Sequence, residues 1–197
     1  MAGQKAKLRG EMILIDNRIQ KRQQMLGIDL YDALVVHARS DPLFIIEDES
    51  LENIRGDFVT CFKDNKALLQ ERDHKRQQII AVGEQREVAY PKAQCNSTTT
   101  MAEQIKNGAK AANFVRMEMA AKTKIKVVDD DMIRNKQKFG EQVYKTLCRL
   151  EDEEQWLPQD RDIRFLYDQA RRDISQLLAD KQQKLLELNE LKQERVL

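Results

Sequence analysis

The side chains of this chain with the reactivity for chemistry are two histidines, three cysteines and several runs of carboxylates. Zinc takes nitrogen and sulfur ligands at short, recurrent spacings. His37 and His74 stand far apart, as do Cys61, Cys95 and Cys148, and no Cys-x-x-Cys or His-x-x-x-His spacing occurs. No zinc site is expected. Hard cations take oxygen ligands, and Glu47-Asp48-Glu49, Asp129-Asp130-Asp131 and Glu151-Asp152-Glu153-Glu154 offer them. None follows the spacing of an EF-hand loop or the Glu-x-x-His pair of di-iron bundles. The first and third runs precede a helix, where acidic side chains favour the positive end of the macrodipole. They read as solvated turns.

For nucleophilic catalysis the chain offers Ser40, Ser50, Ser97 and Ser175, none in a Gly-x-Ser-x-Gly elbow. It carries no phosphate-binding or dinucleotide-binding glycine pattern. The expectation is therefore no catalytic residue, no cofactor and no metal. A helical-bundle enzyme or ligand carrier would need His37, Tyr31 and Tyr144 to converge inside a core.

Binding chemistry is better represented. Trp156 and Leu157 form one apolar tip, and Leu43, Phe44, Ile45 and Ile46 form another. Phe44, Ile45, Trp156 and Leu157 are candidate partner-binding anchors, since aromatic and aliphatic side chains dominate interface energetics. The competing reading has them stapling each turn onto the end of the fold. Lys21-Arg22-Gln23-Gln24 and Lys75-Arg76-Gln77-Gln78 are basic patches interleaved with acids, as on a solvated, ion-paired helix face.

Composition sets the classes. The chain has 197 residues, 34 Lys+Arg against 33 Asp+Glu, and a net charge of +1. That balance lacks the basic footprint of a nucleic-acid binder. Charged residues are 34% and aromatics 6%, with 7 glycines and 3 prolines. High charge with few breakers reads as long helices. The N-terminus lacks the apolar stretch of a signal peptide, and no run approaches the roughly 20 residues of a membrane span. Three widely spaced cysteines fit a reducing, cytoplasmic setting.

The elements that must carry these residues are four helices. Leu8, Met12, Ile15, Ile19, Leu26, Leu30 and Ala33 recur at steps of three and four over about 4–38, before Asp41-Pro42. Ile54, Phe58, Cys61, Leu68, Leu69, Ile79 and Val82 mark a second helix over about 50–86, with Ser50 as N-cap. A third follows a Thr100–Glu103 capping box. Its early stripe is Met101, Ile105, Ala112, Val115 and Met119, and its later one Ile125, Val128, Met132, Phe139, Val143 and Leu147. The two stripes differ in phase, so the face is expected to rotate near Ala121–Lys124. The fourth helix begins after Pro158, with Ile163, Leu166, Tyr167, Ala170, Ile174, Leu177, Leu178, Leu185, Leu188 and Leu191 on an arc of about 140°.

A shift of 113 residues lays Leu26, Gly27, Leu30, Tyr31 and Leu34 on Phe139, Gly140, Val143, Tyr144 and Leu147. A shift of 109 lays Ile54, Asp64, Leu68 and Leu69 on Ile163, Asp173, Leu177 and Leu178. This points to a duplicated helical hairpin. Gly27 and Gly140, with Tyr31 and Tyr144, are the expected sites of close helix approach, because glycine inside a helix costs about 1 kcal/mol and needs a packing reason.

The expected architecture is an all-α, elongated, antiparallel, coiled-coil-like bundle of four long helices. Hairpin unit A spans 1–86, a connector and Ala-rich half helix 87–120, and hairpin unit B 121–197, together one bundle domain. The expected function is a non-enzymatic intracellular interaction or scaffold protein, binding protein partners or a second copy through helix faces and hairpin tips. A peripheral membrane or vesicle-surface bundle is the alternative, and the enzyme or carrier comes third.

Overall fold

The computed structural model describes residues 2–40, 51–89, 101–153 and 157–193, with side-chain placement over 3–38, 51–88, 108–153 and 157–192. The fold is an all-α helical bundle. Its helices are α1 (Ala2–Ser40), α2 (Glu52–Ala89), α3 (Met101–Asp152) and α4 (Arg161–Gln193). No described residue is in a strand. Ser50, Thr100 and the connector around Pro91 lie outside the described residues, and Met101 and Ile105 lie outside those with placed side chains.

The chain divides into two compact units, Met1–Cys61 with Asn135–Leu197, and Phe62–Arg134. In the first, α1 and α4 run antiparallel. Glu11 pairs with Lys184, Asp16 with Lys181, Arg22 with Asp173 and His37 with Asp160, so numbers rise on one helix as they fall on the other. All four helices then share one core. Leu26, Leu30 and Leu34 of α1 meet Ile54 and Phe58 of α2, Phe139, Val143 and Leu147 of α3, and Ile163, Tyr167 and Ile174 of α4. A fully buried side chain of this size contributes about 1.5–3 kcal/mol, against the entropy of ordering it.

α4 starts after Pro158, as expected, at Arg161. Pro158 is buried but stands outside the helix, and Asp160 is the N-cap. Its Oδ1 accepts from the backbone N–H of Asp162 at 3.0 Å and of Ile163 at 2.9 Å. A short carboxylate satisfies two donors that the first turn leaves orphaned, which proline cannot do.

Further along α4, Leu178 is 50% exposed and Leu185 also faces outward, while Lys181 and Lys184 are half-buried. A seam between two helices is narrower than an arc of about 140°, so leucines at its edge are left out. The inward positions are Ala170, Ile174, Leu177, Lys181, Lys184, Leu188 and Leu191, at alternating steps of four and three.

In the second unit, α2 and α3 also run antiparallel, with Arg72 3.6 Å from Asp129 and Arg86 3.9 Å from Glu118. The face of α3 does not rotate. Ala111, Phe114, Glu118, Ala121, Ile125 and Val128 are half-buried or buried, and they keep one phase with Met132, Phe139, Val143 and Leu147. Ala112, Val115 and Met119, the expected early stripe, are exposed. Two alanines, Phe114 and the aliphatic stem of a glutamate occupy the seam there. Bulk hydrophobicity pointed to the wrong face.

Candidate functional site

Gly27 and Gly140 meet where α1 crosses α3. A Cβ on Gly27 would fall against the Lys136 carbonyl and the amide nitrogen and Cα of Gly140. One on Gly140 would fall against the Gln23 carbonyl and the amide nitrogen and Cα of Gly27. Two helices without side chains at the crossing come within backbone contact, and the neighbouring rings are set by it.

Tyr31 is buried one turn from Gly27. Its ring tilts at 45° to Phe58, with centroids 5.8 Å apart, and lies edge-on to Phe139 at 6.5 Å. The Lys136 ammonium sits 4.8 Å over the same ring and 2.6 Å from Asp32. Tyr144 is buried near Gly140, tilted at 49° to Tyr167 with centroids 6.2 Å apart. His37 goes to Asp160.

Around Tyr167 the core turns polar. Its hydroxyl donates to Glu151 Oε2 at 2.9 Å and lies 3.7 Å from Cys148 Sγ. Arg171 Nε reaches the same Glu151 oxygen at 2.5 Å. Burial first, and the Cys148 thiol second, hold the Tyr144 and Tyr167 hydroxyls well above the ordinary phenol range. Both therefore stay neutral and serve as hydrogen-bonding groups. At the positions related by the 113 and 109 shifts, Cys148, Glu151, Tyr167 and Arg171 correspond to Val35, Ala38, Phe58 and Phe62.

At the junction of α1 with α4, one ligand atom each from His37, Asp160 and Asp162 lie within 4.8 Å of one another. Sequence reading missed this cluster because His37 and Asp160 are brought together only by the antiparallel pairing. A groove of about 300 Å³ opens elsewhere along these helices, floored by Leu14 and Ile15 and flanked by Glu11, Arg18, Asp180 and Lys184.

In the second unit an apolar strip of α3 is exposed. Val115 is 44% and Met119 64% exposed, in line with the exposed Ala112. Arg116 and Lys126 are exposed along the same face. Beside it lies a hollow of about 520 Å³ lined by Ala109, Lys110, Ala112, Asn113 and Arg116. Of the tip anchors, Leu157 is half-buried against the core of the first unit. Phe44, Ile45 and Trp156 lie outside the described residues.

No described helix is long and apolar enough to cross a membrane. Comparison with protein-family models, curated proteins and solved structures finds no match.

Proposed function

We propose that this chain is a non-enzymatic helical interaction protein, and that the outward face of α3 docks an acidic amphipathic helix of a protein partner. The observation that carries this is the strip Ala112–Val115–Met119, left exposed while Ala111, Phe114, Glu118 and Ala121 turn toward the seam behind it. Apolar side chains give such a strip its affinity, and its cationic edge of Arg116 and Lys126 selects an occupant of opposite charge. The adjacent hollow has an alanine floor and two cations, Lys110 and Arg116, which suits a carboxylate beside an aliphatic side chain. In this reading the protein is a cytoplasmic scaffold with coiled-coil-like helix pairs. Its hairpins descend from one duplicated ancestor, and the apolar tips supply further anchors.

The test uses two synthetic helical peptides, one with leucines at heptad spacing and a glutamate-rich outer face, the other lysine-rich, and vesicles containing phosphatidylserine. The acidic peptide should bind the full chain, more weakly as salt rises, and at least tenfold more weakly to a Met119→Glu variant. Equal binding of both peptides, or binding indifferent to Met119→Glu, would overturn the proposal. Binding to vesicles with none to the acidic peptide would replace it with the membrane-surface reading.

A further inference from the structure

We infer that His37, Asp160 and Asp162 form a binding site for a divalent transition-metal ion that clasps the C-terminal part of α1 to the first turn of α4. Three observations converge on it. The first is distance. His37 Nε2 stands 3.9 Å from Asp160 Oδ2, beyond hydrogen-bond reach. Zinc–nitrogen and zinc–oxygen bonds are each about 2.0–2.2 Å, so two ligands of one tetrahedral ion sit about 3.3–3.6 Å apart. A contraction of about half an ångström brings the His37–Asp160 separation to that spacing. The exposed Asp162 carboxylate stands in the same cluster, with all three ligand atoms within 4.8 Å of one another.

The second is orientation. Asp160 Oδ1 accepts from the backbone N–H groups of Asp162 and Ile163, which fixes the carboxylate and leaves Oδ2 turned toward His37. One oxygen is spent on the helix and the other is held at the cluster, the kind of backbone support that preorganises a metal ligand.

The third is charge and chemistry. Two carboxylates this close repel, and the helix N-terminus, worth roughly half a charge, offsets only part of that. A dication neutralises the remainder. One imidazole nitrogen with two carboxylate oxygens is a donor set for zinc or a neighbouring transition ion rather than for calcium, which takes six to eight oxygens. The positions related to His37 and Asp160 by the 113 and 109 shifts are Leu150 and Leu51, both buried. The related helix junction is thus closed by two leucines, where this one gathers three metal-ligating side chains.

The experiment titrates zinc into the full chain, followed by calorimetry and by the thermal midpoint. Wild type should bind one ion at this site and rise in midpoint with zinc concentration. Asp160→Asn retains a capping side chain but loses the anionic oxygen, and Asp162→Asn and His37→Gln leave the cap untouched. Each should weaken this binding at least tenfold, while His74→Gln should not. Binding that survives His37→Gln and Asp162→Asn, or that is lost in His74→Gln, would overturn the assignment. So would an absence of zinc binding by wild type.

Discussion

Gly27 and Gly140 are each other's steric limit, and the relationship is reciprocal. The carbonyl that would block a Cβ on Gly27 belongs to Lys136, and the one that would block Gly140 belongs to Gln23. Lys136 and Gln23 are themselves related by the shift of 113 that relates the glycines. Reciprocity of this kind is the mark of a twofold axis, on which residue i touches j and j touches i. The ring pairs obey it too, since Tyr31–Phe58 and Tyr144–Tyr167 match in separation and tilt.

Gly27→Ala and Gly140→Ala should each destabilise the fold by about 2 kcal/mol or more. Overpacking costs about 1–3 kcal/mol, and here the obstacle is backbone rather than a side chain that can turn away. The gain of about 1 kcal/mol in helix propensity cannot offset that. Gly10→Ala and Gly56→Ala meet nothing within 4 Å and should stabilise instead, by about 0.5–1 kcal/mol. Urea denaturation of the four variants gives opposite signs if the crossing is as described.

Tyr144 and Tyr167 should give the fold an alkaline limit. Burial raises both phenol pKa values in the folded state, so the native chain holds these protons more tightly than the unfolded one. Their contribution is complete below the unfolded phenol value of about 10. It is lost progressively as pH rises above that toward the folded values. A Tyr144→Phe, Tyr167→Phe double variant should show a flatter loss of thermal midpoint between about pH 9 and 11. It should also lose about 1 kcal/mol at neutral pH, for the hydrogen bond to Glu151.

Much of the fold was legible in the sequence because apolar residues at steps of three and four mark a helix whatever it packs against. What the apolar pattern did not show was which polar residues share the seam. Asn65 is buried, Arg72 and Lys75 of α2 are half-buried at the same spacing, and so are Glu118 of α3 and Lys181 and Lys184 of α4. A seam between two long helices tolerates such residues by burying their stems and pairing their heads, as Arg72 does with Asp129. Following the heptad step instead of the hydrophobicity would have found them. The His37–Asp160–Asp162 cluster had no local signal, since its members meet only across the α1–α4 pairing.

The phase of α3 is open to direct test. Phe114 is half-buried and Met119 is exposed, although Met119 belongs to the more regular apolar pattern. Phe114→Ala should cost about 2 kcal/mol and Met119→Ala less than about 0.5 kcal/mol. Comparable losses at both positions would mean that the outward strip is covered in the free protein, which would also remove it as a docking face.

The α1–α4 pairing separates packing from charge. Leu8 and Leu188 are both buried, whereas Lys184 and Glu11, half-buried along their stems, form a 2.6 Å pair between their charged heads. Leu188→Ala should cost about 2 kcal/mol, the low end for a buried leucine. Lys184→Ala should leave the midpoint at neutral pH and moderate salt close to wild type, since exposed pairs lose to solvent screening and side-chain entropy most of what they gain. The pair should instead show in acid. The Lys184 hydrogen bond lowers the Glu11 pKa, so its contribution is present above the unfolded carboxyl value of about 4.3 and disappears as pH falls through the lower folded value. Lys184→Ala should therefore reduce the slope of stability against pH below about pH 4.5 while leaving the neutral plateau in place. If the plateau itself falls as far as in Leu188→Ala, the ammonium is part of the packing of the seam and not a surface partner.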